Sequence, residues 1–239
     1  MATALITGAT AGIGNAFARM LASQGYDLVL VARDEARLRR VCGELAAQYQ
    51  IDAEPLCADL SRYDECAGVE RRLADPTRPI DVLVNNAGFT VNQRFLDGAL
   101  PAEQAMFDVL VRAVLRLSHA AAGGMKARGR GAIINVSSVA GWIPQSTYGA
   151  AKSYVTAFSR ALRKDLHGSG VKVIALCPGY TTTEFHERAN YAMDHVPRFM
   201  MLDADEVVAT AWRDLHRGRA VSIPGGIYKV SRLLLRFAY

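Results

Sequence analysis

Thr7-Gly8-Ala9-Thr10-Ala11-Gly12-Ile13-Gly14 lies between an apolar run at 2–7 and an amphipathic run at 13–24. The stretch therefore reads as the turn from a buried strand into a helix. Glycine lets a backbone turn sharply and come close to a ligand, because no Cβ intervenes. The N–H groups at the start of the following helix, with its dipole, attract an anion such as a pyrophosphate. Gly8, Thr10, Gly12, Ile13 and Gly14 are therefore the first candidate dinucleotide-binding residues. The spacing is GxxxGxG, a variant of the GxGxxG arrangement that marks many such turns.

Outward from that turn, short apolar runs alternate with longer amphipathic ones. Strands are expected at 2–7, 27–32, 52–57, 80–85, 131–137, 171–177 and 220–223, and helices at 13–24, 34–49, 62–73, 101–128, 147–167 and 203–217. This alternation predicts an α/β fold, a Rossmann-type doubly wound parallel sheet of about seven strands with helices on both faces. Ligands then belong at the C-terminal ends of the strands. With 239 residues and no linker-like tract, a single domain over 1–239 is expected. Residues 181–202, rich in aromatics and methionine, interrupt the alternation and read as a lid over the substrate.

Composition excludes several classes. The chain is 51% hydrophobic and 21% charged, with a net charge of +5 and a pI near 9.1. Its basic residues are dispersed apart from small clusters such as Arg37, Arg39 and Arg40, so no basic stripe suits a nucleic acid. Cys42, Cys57, Cys66 and Cys177 show no CxxC spacing, which predicts free thiols in a reducing compartment. The five histidines, His119, His167, His186, His195 and His216, form no metal-ligand pattern. No leader or membrane-spanning run is legible, so a cytoplasmic protein is expected.

The second strand bears on the cofactor. An NAD site commonly offers a carboxylate to the ribose 2′-OH about 20 residues beyond the glycines. Here the strand ends Val31-Ala32-Arg33, and a guanidinium suits a 2′-phosphate instead. NADP(H) is the preferred expectation, with NAD(H) open; the other reading pairs Arg33 with Asp34 or Glu35.

Tyr148 and Lys152 stand four apart on a predicted helix, so they share a face. An ammonium beside a phenol favours the phenolate, which suits the phenol to general acid/base work. Alone, this pair means little. It is preceded by Ser137-Ser138 at a strand end, by Asn85-Asn86-Ala87-Gly88 after the fourth strand, and followed by Pro178-Gly179 with Thr181 and Thr183 beyond.

Taken together, the TGxxxGxG turn, NNAG, Ser, YxxxK and PG resemble the compact type of short-chain dehydrogenase/reductase. The resemblance implies hydride exchange between nicotinamide and a carbonyl or alcohol carbon. It implies Tyr148 as general acid/base, Ser138 as the residue orienting the substrate oxygen, and Lys152 as both ribose ligand and depressor of the Tyr148 pKa. It places Asp59 at the adenine, Leu60, Asn85, Ala87, Gly88, Pro178, Gly179 and Thr181 along the cofactor cleft, and Thr183 at the carboxamide.

Two features depart from that pattern. The family usually carries an asparagine in the helix after NNAG, where it supports a water next to the lysine, and this chain has Leu110. That position favours an alternative, a cofactor-binding protein of weak or no turnover acting as a redox sensor or scaffold. The stretch between Ser138 and Tyr148 is also short for the family, leaving Ser137 as a second candidate hydroxyl. Phe89, Trp142, Tyr180 and Tyr191, with Phe185, Met193, Phe199, Met200 and Met201, suggest an apolar substrate. The helices at 101–128 and 147–167 suggest a homodimer or homotetramer. The basic amphipathic tail 228–237 fits a packed helix or subunit contact better than a membrane surface.

Overall fold

A computed structural model of the chain describes residues 1–143, 145–185 and 196–235. The strands are β1 (Thr3–Thr7), β2 (Asp27–Ala32), β3 (Ala53–Cys57), β4 (Val82–Asn85), β5 (Gly131–Val136), β6 (Val171–Leu176) and β7 (Val221–Ser222). They form one seven-stranded sheet in the order β3-β2-β1-β4-β5-β6-β7. Every neighbouring pair is parallel. The order reverses between β1 and β4, which opens a crevice at the carboxyl edge, the place where such sheets bind ligands.

The strands need covering on both faces, and their sequences show it: Leu5, Ile6, Leu28, Val29, Leu30 and Val31 are all essentially buried. On one face α1 (Gly12–Ser23), α2 (Glu35–Tyr49) and α7 (Ala204–His216) contribute Phe17, Leu21, Leu38, Leu45, Val207 and Leu215 to one core. On the other, α3 (Tyr63–Ala74) and α5 (Val114–Arg128) supply Cys66, Val69, Leu117 and Met125. Alongside lies α6 (Thr147–Asp165), packed on β6. Its start is fixed by Ser146, whose Oγ accepts from the Gly149 N–H at 3.1 Å, a cap that satisfies one unpaired donor of the first turn.

The expected helix at 101–128 is not continuous. It consists of α4 (Leu100–Phe107), a π-helical turn at Asp108–Ala113, and α5. No proline or glycine marks the change in the sequence, so hydrophobic periodicity gives no warning of it. Such widened turns occur often at functional sites. After β7 the tail forms α8 (Gly226–Leu235), packed against a short 3₁₀ turn at Val139–Trp142. Among the described residues, no helix is long and apolar enough to cross a membrane.

Candidate active site

The glycine turn lies between β1 and α1. Gly8 and Gly12 have φ of +66° and +52°, a region L side chains rarely adopt. Gly14 is required for a different reason: a Cβ there would lie 2.3 Å from the Gly8 carbonyl oxygen. The turn is braced by Asn86, whose Nδ2 donates to the carbonyls of Thr7 at 2.9 Å and Gly8 at 3.2 Å. Thr7 returns the contact, its Oγ1 accepting from the N–H groups of Asn86 and Ala87 at 2.9 Å each. The N-terminus of α1 has neither a side-chain cap nor an acidic residue in its first turn. Uncapped N–H groups behind a glycine cradle suit a pyrophosphate, so these residues fit a dinucleotide.

Along the rest of the cleft the expected residues divide. Arg33 is exposed at the end of β2, and no described carboxylate pairs with it. Asp34 instead caps α2 by accepting from the Arg37 N–H at 2.9 Å, and Glu35 pairs with Arg39 at 2.7 Å. The Arg37 guanidinium grips Glu184 through its two terminal nitrogens, Nη1 donating to Oε2 and Nη2 to Oε1. Asp59 Oδ1 accepts from Ser61 N at 3.0 Å and from its hydroxyl at 2.8 Å. Leu60 is buried in the core beneath, which leaves only its main chain for a ligand. The Asn85 side chain is engaged inside the protein. Its amide donates to Ser118 Oγ at 3.1 Å and Asn135 Oδ1 at 2.8 Å, since a buried amide must find partners.

Ser138, Tyr148 and Lys152 come together above the end of β5. The Ser138 hydroxyl lies close enough to the Tyr148 phenol to favour its ionised form, and it accepts from the Ala140 N–H at 3.1 Å. Ser137, the second candidate, is turned inward, its Oγ donating to the Lys152 carbonyl at 2.6 Å. Lys152 Nζ lies 5.7 Å from the centre of the Tyr148 ring and donates to the Val136 carbonyl at 2.7 Å. Burial, not charge, dominates both groups. It pushes the Tyr148 phenol up to about 12, against the lowering effect of the nearby Ser138 hydroxyl. It pulls Lys152 down to about 8. In the chain alone, then, the Tyr148 pKa is governed by desolvation of the phenolate, and the depression expected from Lys152 is not seen.

Leu110 lies in the π-helical turn and is fully buried. With Met106, Val111 and Ala151 it forms an apolar cluster against which Phe89 and Tyr148 pack. A Cβ on Gly88 would come within 2.8 Å of Leu110 Cδ2 and 3.8 Å of Lys152 Nζ. An apolar wall therefore stands beside the amine.

After β6, buried Pro178 leads to Gly179, where a Cβ would lie 2.0 Å from the Tyr228 ring. Thr181 Oγ1 donates to the Gly179 carbonyl at 3.1 Å, so this hydroxyl is engaged within its own loop. The Thr183 methyl lies 2.8 Å from where a Gly12 Cβ would sit, which brings this loop onto the glycine turn. The Phe185 ring is 5.9 Å from that of Tyr148. Trp142 and Tyr180 pack in one apolar cluster around Tyr228, and the Arg232 guanidinium lies 5.7 Å from the Trp142 ring centre. Phe199 is 73% exposed and does not join them. Tyr191 and Met193 lie outside the described residues. Asn86 and Tyr228 were missed by sequence reasoning. Asn86 had a signal in its place within NNAG; Tyr228 had none, because its partners are about 30 to 50 residues away in sequence.

A glycine cradle and a Ser–Tyr–Lys cluster at the switch point of a doubly wound sheet define an oxidoreductase that works with a nicotinamide dinucleotide. The family model for short chain dehydrogenase matches residues 2–194. The chain belongs to that family and is an NAD(P)-dependent dehydrogenase/reductase. It is 33% identical over 191 residues to an uncharacterized oxidoreductase of Staphylococcus epidermidis, covering 79% of this chain and 81% of the relative. A short-chain dehydrogenase from Sphingobium yanoikuyae in complex with NADPH superposes with a TM-score of 0.92 at 36% identity, covering 100% of this chain and 93% of that one. The bulky-bulky ketone specific alcohol dehydrogenase from Comamonas testosteroni gives 0.84 at 32% identity, over 94% and 86% of the two chains.

Proposed function

We propose that this protein is an NADP(H)-preferring reductase of apolar carbonyl compounds, with Tyr148 as the proton donor. The observation that carries the proposal is the convergence of Ser138, Tyr148 and Lys152, with the Ser138 hydroxyl near the phenol and the Nζ of buried Lys152 5.7 Å from the Tyr148 ring centre. A bound NADPH supplies the hydride. The chain's own residues manage the proton and the substrate's orientation. With its pKa near 12, Tyr148 is protonated at neutral pH, the state needed to give a proton to a carbonyl oxygen as it gains charge. Ser138 holds that oxygen at the phenol. Lys152, near 8, is mostly cationic at pH 7 and can hold ribose hydroxyls. Phe89, Trp142, Tyr180 and Phe185 supply an apolar substrate side, in keeping with the name of the Comamonas ketone dehydrogenase. Arg33, without a described carboxylate partner, supports the preference for a 2′-phosphate.

The exposed Phe107, Leu115 and Tyr154 on α4, α5 and α6 support a homo-oligomer formed across these helices. A second reading, a cofactor-binding scaffold of weak turnover, is favoured by Leu110 alone. One assay separates them. NADPH consumption against a panel of aldehydes and ketones should show turnover, and Tyr148→Phe should lower kcat by about 10²–10⁴ while retaining NADPH binding. Tight NADPH binding without turnover would support the scaffold, and unchanged kcat in Tyr148→Phe would remove the proton donor assigned here.

A further inference from the structure

We propose that Tyr228, on the C-terminal helix α8, is a positioning residue for the carbonyl substrate: its phenol ties together the two chain segments, 180–185 and 196–202, that flank the substrate side of the site. The inference rests on the reductase reading above. The Tyr228 oxygen accepts from the Tyr180 N–H at 3.0 Å and donates to the Met200 carbonyl at 2.6 Å. Its ring occupies the space a Gly179 side chain would need, and the residue is only 4% exposed. One side chain thus holds the start of one segment and the end of the other.

Backbone pairing completes the tie. The Leu202 N–H donates to the Tyr180 carbonyl at 2.8 Å, and the Thr182 N–H donates to the Leu202 carbonyl at 3.0 Å. The first segment carries this placement into the site, because Thr183 rests on Gly12 and the Phe185 ring meets Tyr148. A buried phenol whose donor and acceptor are both engaged by main chain acts as a peg, with no proton to spare for chemistry. Its removal acts on the substrate through Tyr180 and Phe185 and leaves the Ser138–Tyr148 contact in place.

Tyr228→Phe keeps the ring against Gly179 and deletes only the hydroxyl. Two measurements follow on the full chain. Amide hydrogen exchange across 178–185 and 196–202 should speed up about tenfold, because two bonds holding those segments are lost. KM for the carbonyl substrate should rise about tenfold, with kcat at saturation and its pH profile within about twofold of wild type. Unchanged exchange would overturn the tie. Faster exchange, or a lower Tm, with an unchanged KM would reduce Tyr228 to packing and overturn the positioning role. Should wild type reduce no carbonyl at all, the reductase reading fails by itself; the positioning role falls with it, while exchange still decides the tie.

Discussion

Lys152→Met should abolish turnover and yet make the protein more stable at neutral pH. Lys152 is 4% exposed, and burial lowers its pKa from the ordinary 10.5 to about 8. The folded state thus disfavours the ammonium, which the unfolded chain keeps in water. At ~1.4 kcal/mol per pKa unit, that difference costs ~3 kcal/mol of stability wherever both states are protonated. Methionine fills a similar volume without a charge, and loses the 2.7 Å hydrogen bond to the Val136 carbonyl, worth ~1 kcal/mol. The balance is a gain of ~2 kcal/mol at pH 7, or about 5 °C in Tm for a chain of this length. The sign of the pH dependence follows from the depressed pKa. Between about 8 and 10.5 the folded amine is neutral while the unfolded one still binds a proton, so wild-type stability rises with pH across that window. The advantage of Lys152→Met should therefore shrink from pH 8 upward and vanish, or reverse slightly, near 10.5. Urea unfolding at a series of pH values, beside NADPH turnover at each, measures both. A variant no more stable than wild type at pH 7, or one whose advantage is flat in pH, would refute the assignment of burial as the dominant force on this amine.

Two further outcomes test other parts of the site. Arg33→Asp should weaken NADPH binding about tenfold or more, since a charge-assisted contact becomes a repulsion, while NADH binding stays nearly constant; fluorescence titration with both dinucleotides checks it, and equal losses would detach Arg33 from the 2′-phosphate. Leu110→Asn should lower stability by ~2 kcal/mol in urea unfolding, because it buries an amide among Met106, Val111 and Ala151. Wild-type stability in that variant would mean that the apolar wall accepts a polar group or its water.

Much of this architecture was legible because it repeats one local rule. The central strands are short runs buried on both faces, as Leu28, Val29, Leu30 and Val31 show, and helices such as α1 and α7 carry an apolar stripe. The glycine turn was legible because Gly8, Gly12 and Gly14 each answer a steric demand that no other residue meets. What escaped depends on distant partners. The π-helical turn at Asp108–Ala113 has no proline or glycine to mark it. Asn85 and Asn86 are adjacent and chemically identical, yet alternate sides of the chain send one into the Ser118–Asn135 network and the other onto the glycine turn.

Leu110 shows where reading by motif and reading by contact part. As a motif position it is a missing asparagine and argues against turnover. In the fold it closes an apolar cluster with Phe89 and Tyr148, separated from Lys152 by the bare Cα of Gly88. An apolar side chain at that place adds to the desolvation that holds Lys152 near 8 and Tyr148 near 12. In the reductase proposed above, the protonated phenol beside an amine held near 8 keeps a proton available for the substrate oxygen, and that state arises from burial with no polar side chain at position 110.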